Sequence, residues 1–178
     1  MRLMLLRHAK SEKAEPGMGD HERVLNARGR TDAPRIGAYM ARHALIPDRV
    51  IVSPARRTRE TWERLAAAWP APPPVAYEAR LYESGPEAIL TVIKETAREV
   101  RMLLVIGHNP GLQDVARLLI ASGDVEARER LNEGLPTAGL AVIDFAAKNW
   151  RTLHSHGGRL ERFVTPRSLA AATDHTPE

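Results

Sequence analysis

Apolar residues gather into short unbroken runs along this chain, separated by longer stretches in which they recur every three or four positions. The runs at 2–6, 50–52, 102–106 and 140–143 are each bounded by Gly, Pro, Ser or charge, the pattern of strands buried on both faces. Between them, helical periodicity predicts helices over 33–44, 56–69, 86–100 and 111–122, the third opened by Ser84 or Gly85 ahead of Pro86. Strands alternating with helices of this length predict an α/β domain, three-layered, with a central and mostly parallel sheet between the helices. The alternation breaks late: 140–145 and 150–154 both read as strand, joined by 146–149, which predicts a hairpin added to the sheet.

Local chemistry qualifies this outline. Pro34 cannot donate a backbone hydrogen bond, so a helix beginning near Asn26 is expected to kink there or to start later. The proline-rich run 70–74 ends the second helix and is too short to separate domains, so 1–169 reads as one domain. The small, polar stretch 170–178 reads as a frayed tail. Trp62 and Trp69 share a helix face and are expected to form a buried stripe.

At 178 residues and 43% hydrophobic content the chain can build a single core. It has no cysteine, which removes disulfide frameworks, thiol nucleophiles and thiolate metal sites. The apolar start is interrupted by Arg7 and Lys10 before a signal peptide or membrane span could be completed, so the expectation is a cytoplasmic protein with no membrane partner. The formal charge of +4 is mild, and the basic residues are interspersed with acidic ones. That pattern argues against nucleic-acid binding, whereas a few convergent arginines suit a small anion, because guanidinium matches phosphate oxygens in two-pronged fashion.

Candidate chemistry lies at three strand-to-helix junctions. Arg7 and His8 follow the first run, where ligands gather in open α/β sheets, outside the carboxyl ends of the strands. After the run at 50–52 comes Ser53-Pro54-Ala55-Arg56-Arg57-Thr58-Arg59-Glu60-Thr61, in which Arg57 and Thr61 share a helix face. Arg56 and Arg59 point elsewhere and read as solvated. After the run at 102–106 comes Gly107-His108-Asn109-Pro110-Gly111, where Asn109 can cap a helix and the free amides suit an anion. Each junction alone is ordinary; their coincidence at one sheet edge points to a phosphate site. Asp20, Glu22 and Asp32 show no ligand-like spacing, so no metal is expected. His21 reads as loop surface, and His43, His154, His156 and His175 read as structural or solvated.

Arg7-His8, Arg57 and His108, in this order, resemble the signature of the histidine phosphatase superfamily, which includes the cofactor-dependent phosphoglycerate mutases. Segments 23–29, 136–139 and 165–169 are similar to its small SixA-like branch of phosphohistidine phosphatases. Ala9 stands where many relatives carry glycine. The resemblance implies a phosphoglycerate mutase-like fold and a metal-independent phosphohydrolase without a cofactor. It makes His8 the nucleophile, with Arg7, Arg57 and, if protonated, His108 on the phosphoryl oxygens and Asn109 among the binding residues. By the same resemblance Glu83, in Leu81-Tyr82-Glu83, takes the place of the general acid. The chain lacks the insertions that form a lid in larger relatives, which implies an open site suited to a bulky or protein-borne phosphate, including phosphohistidine. The alternatives are a mutase-type phosphotransferase and a module that only binds phosphate or a phosphorylated partner.

Overall fold

The computed structural model describes residues 1–173. Its sheet is built from β1 (Arg2–Arg7), β2 (Arg49–Val52), β3 (Val75–Tyr77), β4 (Met102–Gly107), β5 (Ile120–Gly123), β6 (Leu140–Phe145) and β7 (Gly158–Val164). The order across the sheet is β3-β2-β4-β1-β6-β7-β5, and among these strands only β6 runs against the rest. Helices α1 (Ala27–Arg42) and α2 (Arg56–Ala66) cover one face; α3 (Pro86–Lys94), α4 (Gly111–Leu119) and α5 (Val125–Glu133) cover the other.

The alternation of side chains along each strand sorts the core into these two layers. Leu3, Leu5, Leu103, Val105, Ala141 and Ile143 face α3 and α4, while Met4, Leu6, Leu104, Ile106, Leu140 and Val142 face α1 and α2. Trp62 and Trp69 pack edge to face with centroids 5.8 Å apart, and the Trp69 indole donates to the Gly37 carbonyl at 2.9 Å. The expected α/β/α layering is thus present, and both tryptophans are buried, although Trp69 lies just beyond the end of α2.

Several boundaries differ from expectation. Helix α1 starts at Ala27, because the Asn26 side chain accepts from the Gly29 amide at 2.9 Å, and it runs through Pro34. Burial of Ala33, Ile36 and Met40 against α2 and the sheet outweighs the one hydrogen bond that Pro34 cannot make. The second arm of the hairpin is β7 at Gly158–Val164, not 150–154. Trp150 is instead a core plug, fully buried, its indole donating to the Val100 carbonyl at 2.7 Å. The end of the predicted fourth helix is β5, an edge strand whose period is too short to distinguish from a helix and whose partner β7 lies far along the chain. Residues Ala170 to Thr173, expected to fray, continue helix α6 (Pro166–Thr173); the remainder of that tail, with His175, lies outside the described residues.

Register brings the junctions together. Arg7 of β1 pairs with Gly107 of β4, and Val52 of β2 pairs with Ile106. The three strands therefore release His8, Ser53 and His108 side by side. Strand β6, running the other way, starts at Leu140 opposite Leu6, so the turn before it reaches the same edge.

Candidate active site

His8 sits on a backbone pinned from both sides. Its amide donates to the Gly107 carbonyl at 3.1 Å, its carbonyl accepts from the Ala138 amide at 3.0 Å, and the next amide, Ala9, donates to Thr61 Oγ1 at 3.0 Å. Thr61 Oγ1 in turn donates to the Arg57 carbonyl at 2.7 Å, so the first loop and α2 are tied through one hydroxyl. Gly29 lets α1 approach this loop: a Cβ there would lie 2.1 Å from the Lys10 carbonyl oxygen.

His8 is 7% exposed, and its Nδ1 lies 2.8 Å from the Ala9 carbonyl oxygen. A carbonyl can only accept, so Nδ1 carries the proton and Nε2 keeps its lone pair. Burial pushes the His8 pKa down to about 3, against a smaller opposite effect of the Ala9 carbonyl, with His108, Arg57 and Arg7 pushing in the same direction as burial. The ring is therefore neutral at ordinary pH.

His108 packs against His8 with ring centroids 5.4 Å apart. Its Nε2 lies 2.7 Å from Ser53 Oγ, which also accepts from the Ala55 amide at 3.4 Å. Burial and Arg57 push the His108 pKa down to about 4, so its imidazole is neutral at ordinary pH.

Two guanidiniums frame the pair. Arg7 Nη1 donates to the Leu135 carbonyl at 3.1 Å, and burial, with Arg57 nearby, lowers its pKa. Arg57 is 5% exposed; Nη1 donates to the Asp20 carbonyl at 2.8 Å and Nη2 to the Asp20 carboxylate at 3.1 Å. Arg7 Nε, Arg57 Nε and His108 Nδ1 are buried without a hydrogen-bond partner among the described residues. Buried polar atoms without partners are costly, and these three belong to residues whose charge bears on His8.

Two predicted members are placed differently. Glu83 is exposed with φ of 51° and makes no hydrogen bond or ion pair among the described residues. Its neighbour Tyr82 faces the site instead, edge-on to His108 at 5.6 Å. Asn109 does not cap α4; its Nδ2 donates to the Leu135 carbonyl at 2.8 Å, fastening the turn before β6 beside Arg7. Among the described residues no group of three or more His, Asp or Glu side chains is placed to hold a metal ion, and no helix is long and apolar enough to cross a membrane.

Residues 3–101 match the family model of the histidine phosphatase superfamily, branch 1. An uncharacterized protein of Mycobacterium leprae is 32% identical over 166 residues, covering 91% of this chain and all of the relative. The chain belongs to the histidine phosphatase superfamily. Among solved structures it is similar to a protein of Agrobacterium tumefaciens assigned as the phosphohistidine phosphatase SixA. That structure is 31% identical with a TM-score of 0.79, over 93% of this chain and 97% of that one. A SixA protein of Nakamurella multipartitia, assigned likewise, is 26% identical with a TM-score of 0.74, over 93% and 95%. The mutase-like α/β fold and the SixA-like branch follow from these likenesses.

Sequence reasoning passed over three residues that shape this phosphatase's site. Ser53 and Thr61 stood inside the second junction, but a hydroxyl that orients a partner has no pattern of its own. Asp20 lies in an exposed stretch and shows its role only when the 3-10 turn Asp20–Glu22 folds onto Arg57. His21, expected to be mere surface, packs edge-on against Tyr82 at 4.9 Å.

The depressed histidines carry a stability cost in acid. Unfolded, each would titrate near 6.5; folded, they hold out to about 3 and about 4. Between those values the unfolded chain binds more protons, so stability falls as pH drops below 6.5. By pH 5 the loss should be roughly 1–2 kcal/mol for each histidine. Urea unfolding at pH 7 and pH 5 checks this, and an unchanged or higher midpoint at pH 5 contradicts it.

Proposed function

We propose that the phosphatase works through a phosphohistidine on His8, and that its substrate is a phosphohistidine-bearing protein or a small phosphomonoester. The observation carrying this reading is the tautomer of His8: an Nδ1 proton held by the Ala9 carbonyl and a free Nε2 lone pair beside two arginines. In the first step the Nε2 lone pair attacks phosphorus in line with the leaving group, whose bond to phosphorus breaks as it takes the electron pair. The ring gains positive charge, which the Ala9 carbonyl stabilises through Nδ1–H. Arg7, Arg57 and the His108 N–H bind the equatorial oxygens as charge shifts onto them. Water then attacks the same phosphorus, the Nε2–P bond breaks, and neutral His8 returns with inorganic phosphate.

Likeness to the proteins assigned as phosphohistidine phosphatases supports the protein-borne substrate. A phosphate-release screen over phosphohistidine proteins, sugar phosphates and nucleotides, with His8→Ala as the blank, tests it. Turnover confined to phosphoglycerate interconversion would move the reading to a mutase.

Glu83 has no contact that would hold a proton over the leaving group. Glu83→Gln is therefore expected to keep kcat/KM within about threefold on phosphohistidine, whose imidazole leaves readily, and to lose more on alkyl phosphates only if this carboxyl swings in as the acid. Parallel pH-rate profiles on the two substrate types read the difference.

A further inference from the structure

Arg57 already holds an anion, and that anion belongs to the protein. Both terminal nitrogens are engaged by one residue, Nη1 with the Asp20 carbonyl and Nη2 with its Oδ2. The same Oδ2 accepts from the Tyr82 hydroxyl at 2.7 Å, and Oδ1 accepts from Arg23 Nε at 2.9 Å. The Tyr82 hydrogen bond, together with Arg57 and Arg23, holds the Asp20 carboxyl down at about 2, so it is charged wherever the enzyme would work.

The two partners differ in freedom. The Arg57 side chain is 6% exposed and fixed on α2, whereas the Asp20 side chain is 46% exposed. Every residue from Glu12 to Asp20 is exposed. The base of this loop is fastened by Glu12 N–H to the Val24 carbonyl and by Arg23 to Ser11 and the Glu12 carbonyl. Its far end, by contrast, is held to α2 through Asp20. A phosphoryl group arriving at the terminal nitrogens of Arg57 meets a carboxylate there, and two anions cannot share that edge without strong repulsion.

We propose that Asp20 is an internal competitor for the phosphoryl site: the substrate's phosphoryl group displaces its carboxylate from Arg57, and the far end of the first loop is released from α2 with it. This rests on the reading of Arg57 as a phosphoryl ligand. The exchange is driven by the greater charge of the phosphoryl group and by its reach to Arg7 and His108, which the carboxylate does not contact. Asp20 thus couples arrival of the substrate to release of the loop from α2, and it sets the affinity of the resting enzyme below what its arginines could give.

The opposite role makes the opposite prediction. If Asp20 served to hold Arg57 in position for the substrate, removing its charge would weaken phosphate binding. Calorimetric titration of the full chain with inorganic phosphate decides between them. Asp20→Asn is expected to bind phosphate about fivefold more tightly and to lower KM by a similar factor, the scale of a half-exposed ion pair. Unchanged or weaker binding overturns the proposal. In the unsubstituted protein, hydrogen exchange across residues 17–22 is expected to speed up on saturation with phosphate, and unchanged or slower exchange also overturns it. Arg57→Ala separates the two levels. If it leaves phosphate affinity intact, the reading of Arg57 itself fails; if it loses affinity and Asp20→Asn loses it too, only the competitor fails.

Discussion

His8→Ala is expected to lower phosphate release by at least about three orders of magnitude and to abolish any trapped phosphoenzyme, because the nucleophile has no substitute nearby. The neighbouring His108 cannot take over: its Nε2 is engaged with Ser53 Oγ at 2.7 Å, and its Nδ1 is buried. The variant should still fold. Three backbone hydrogen bonds at His8 and Ala9 hold the loop without the ring, and removing a buried imidazole also removes a group that resists protonation in acid. Acid-quenched and alkali-quenched samples, taken within one turnover, distinguish loss of an acid-labile phosphoimidazole from mere slowing of its hydrolysis. A variant that retained a stoichiometric, acid-labile phosphoenzyme would show that the nucleophile lies elsewhere.

The same residue shows what could be read from sequence and what could not. Alternating runs of apolar residues were enough for the layers and for the edge at which Arg7, His8, Arg57 and His108 emerge, because strand ends and parallel register are consequences of that pattern. Electrostatics were less legible. Whether His108 is protonated could not be read from sequence: three strand ends packed together bury it, and burial beside Arg57 keeps it neutral. The misplaced hairpin arm has a similar origin: Trp150 has strand propensity, and only the space beneath the Val100 carbonyl makes it a plug. Asp20 was least legible of all. Its partners Arg57 and Tyr82 are distant in the chain, so neither spacing nor composition could join them.

Arg57→Ala should cost about 10²- to 10³-fold in kcat/KM, less than loss of the nucleophile, because it removes charge stabilisation and leaves the attacking nitrogen in place. A slow phosphoenzyme should still accumulate, which separates the two variants by mechanism as well as by size. Arg57→Lys should recover little. An ammonium is a point charge with no forked edge, and the carbonyl and carboxylate of Asp20 are now met by two separate nitrogens of one planar group. The substitution also switches off Asp20. In an Arg57→Ala background there is no guanidinium for its carboxylate to occupy, so adding Asp20→Asn should change phosphate affinity hardly at all, whereas alone it tightens binding. Such non-additivity measures the coupling between the pair directly. Equal effects of Asp20→Asn in both backgrounds would mean that its charge acts on the site at large, through the field around His108 and Arg7, and not through the one guanidinium it touches.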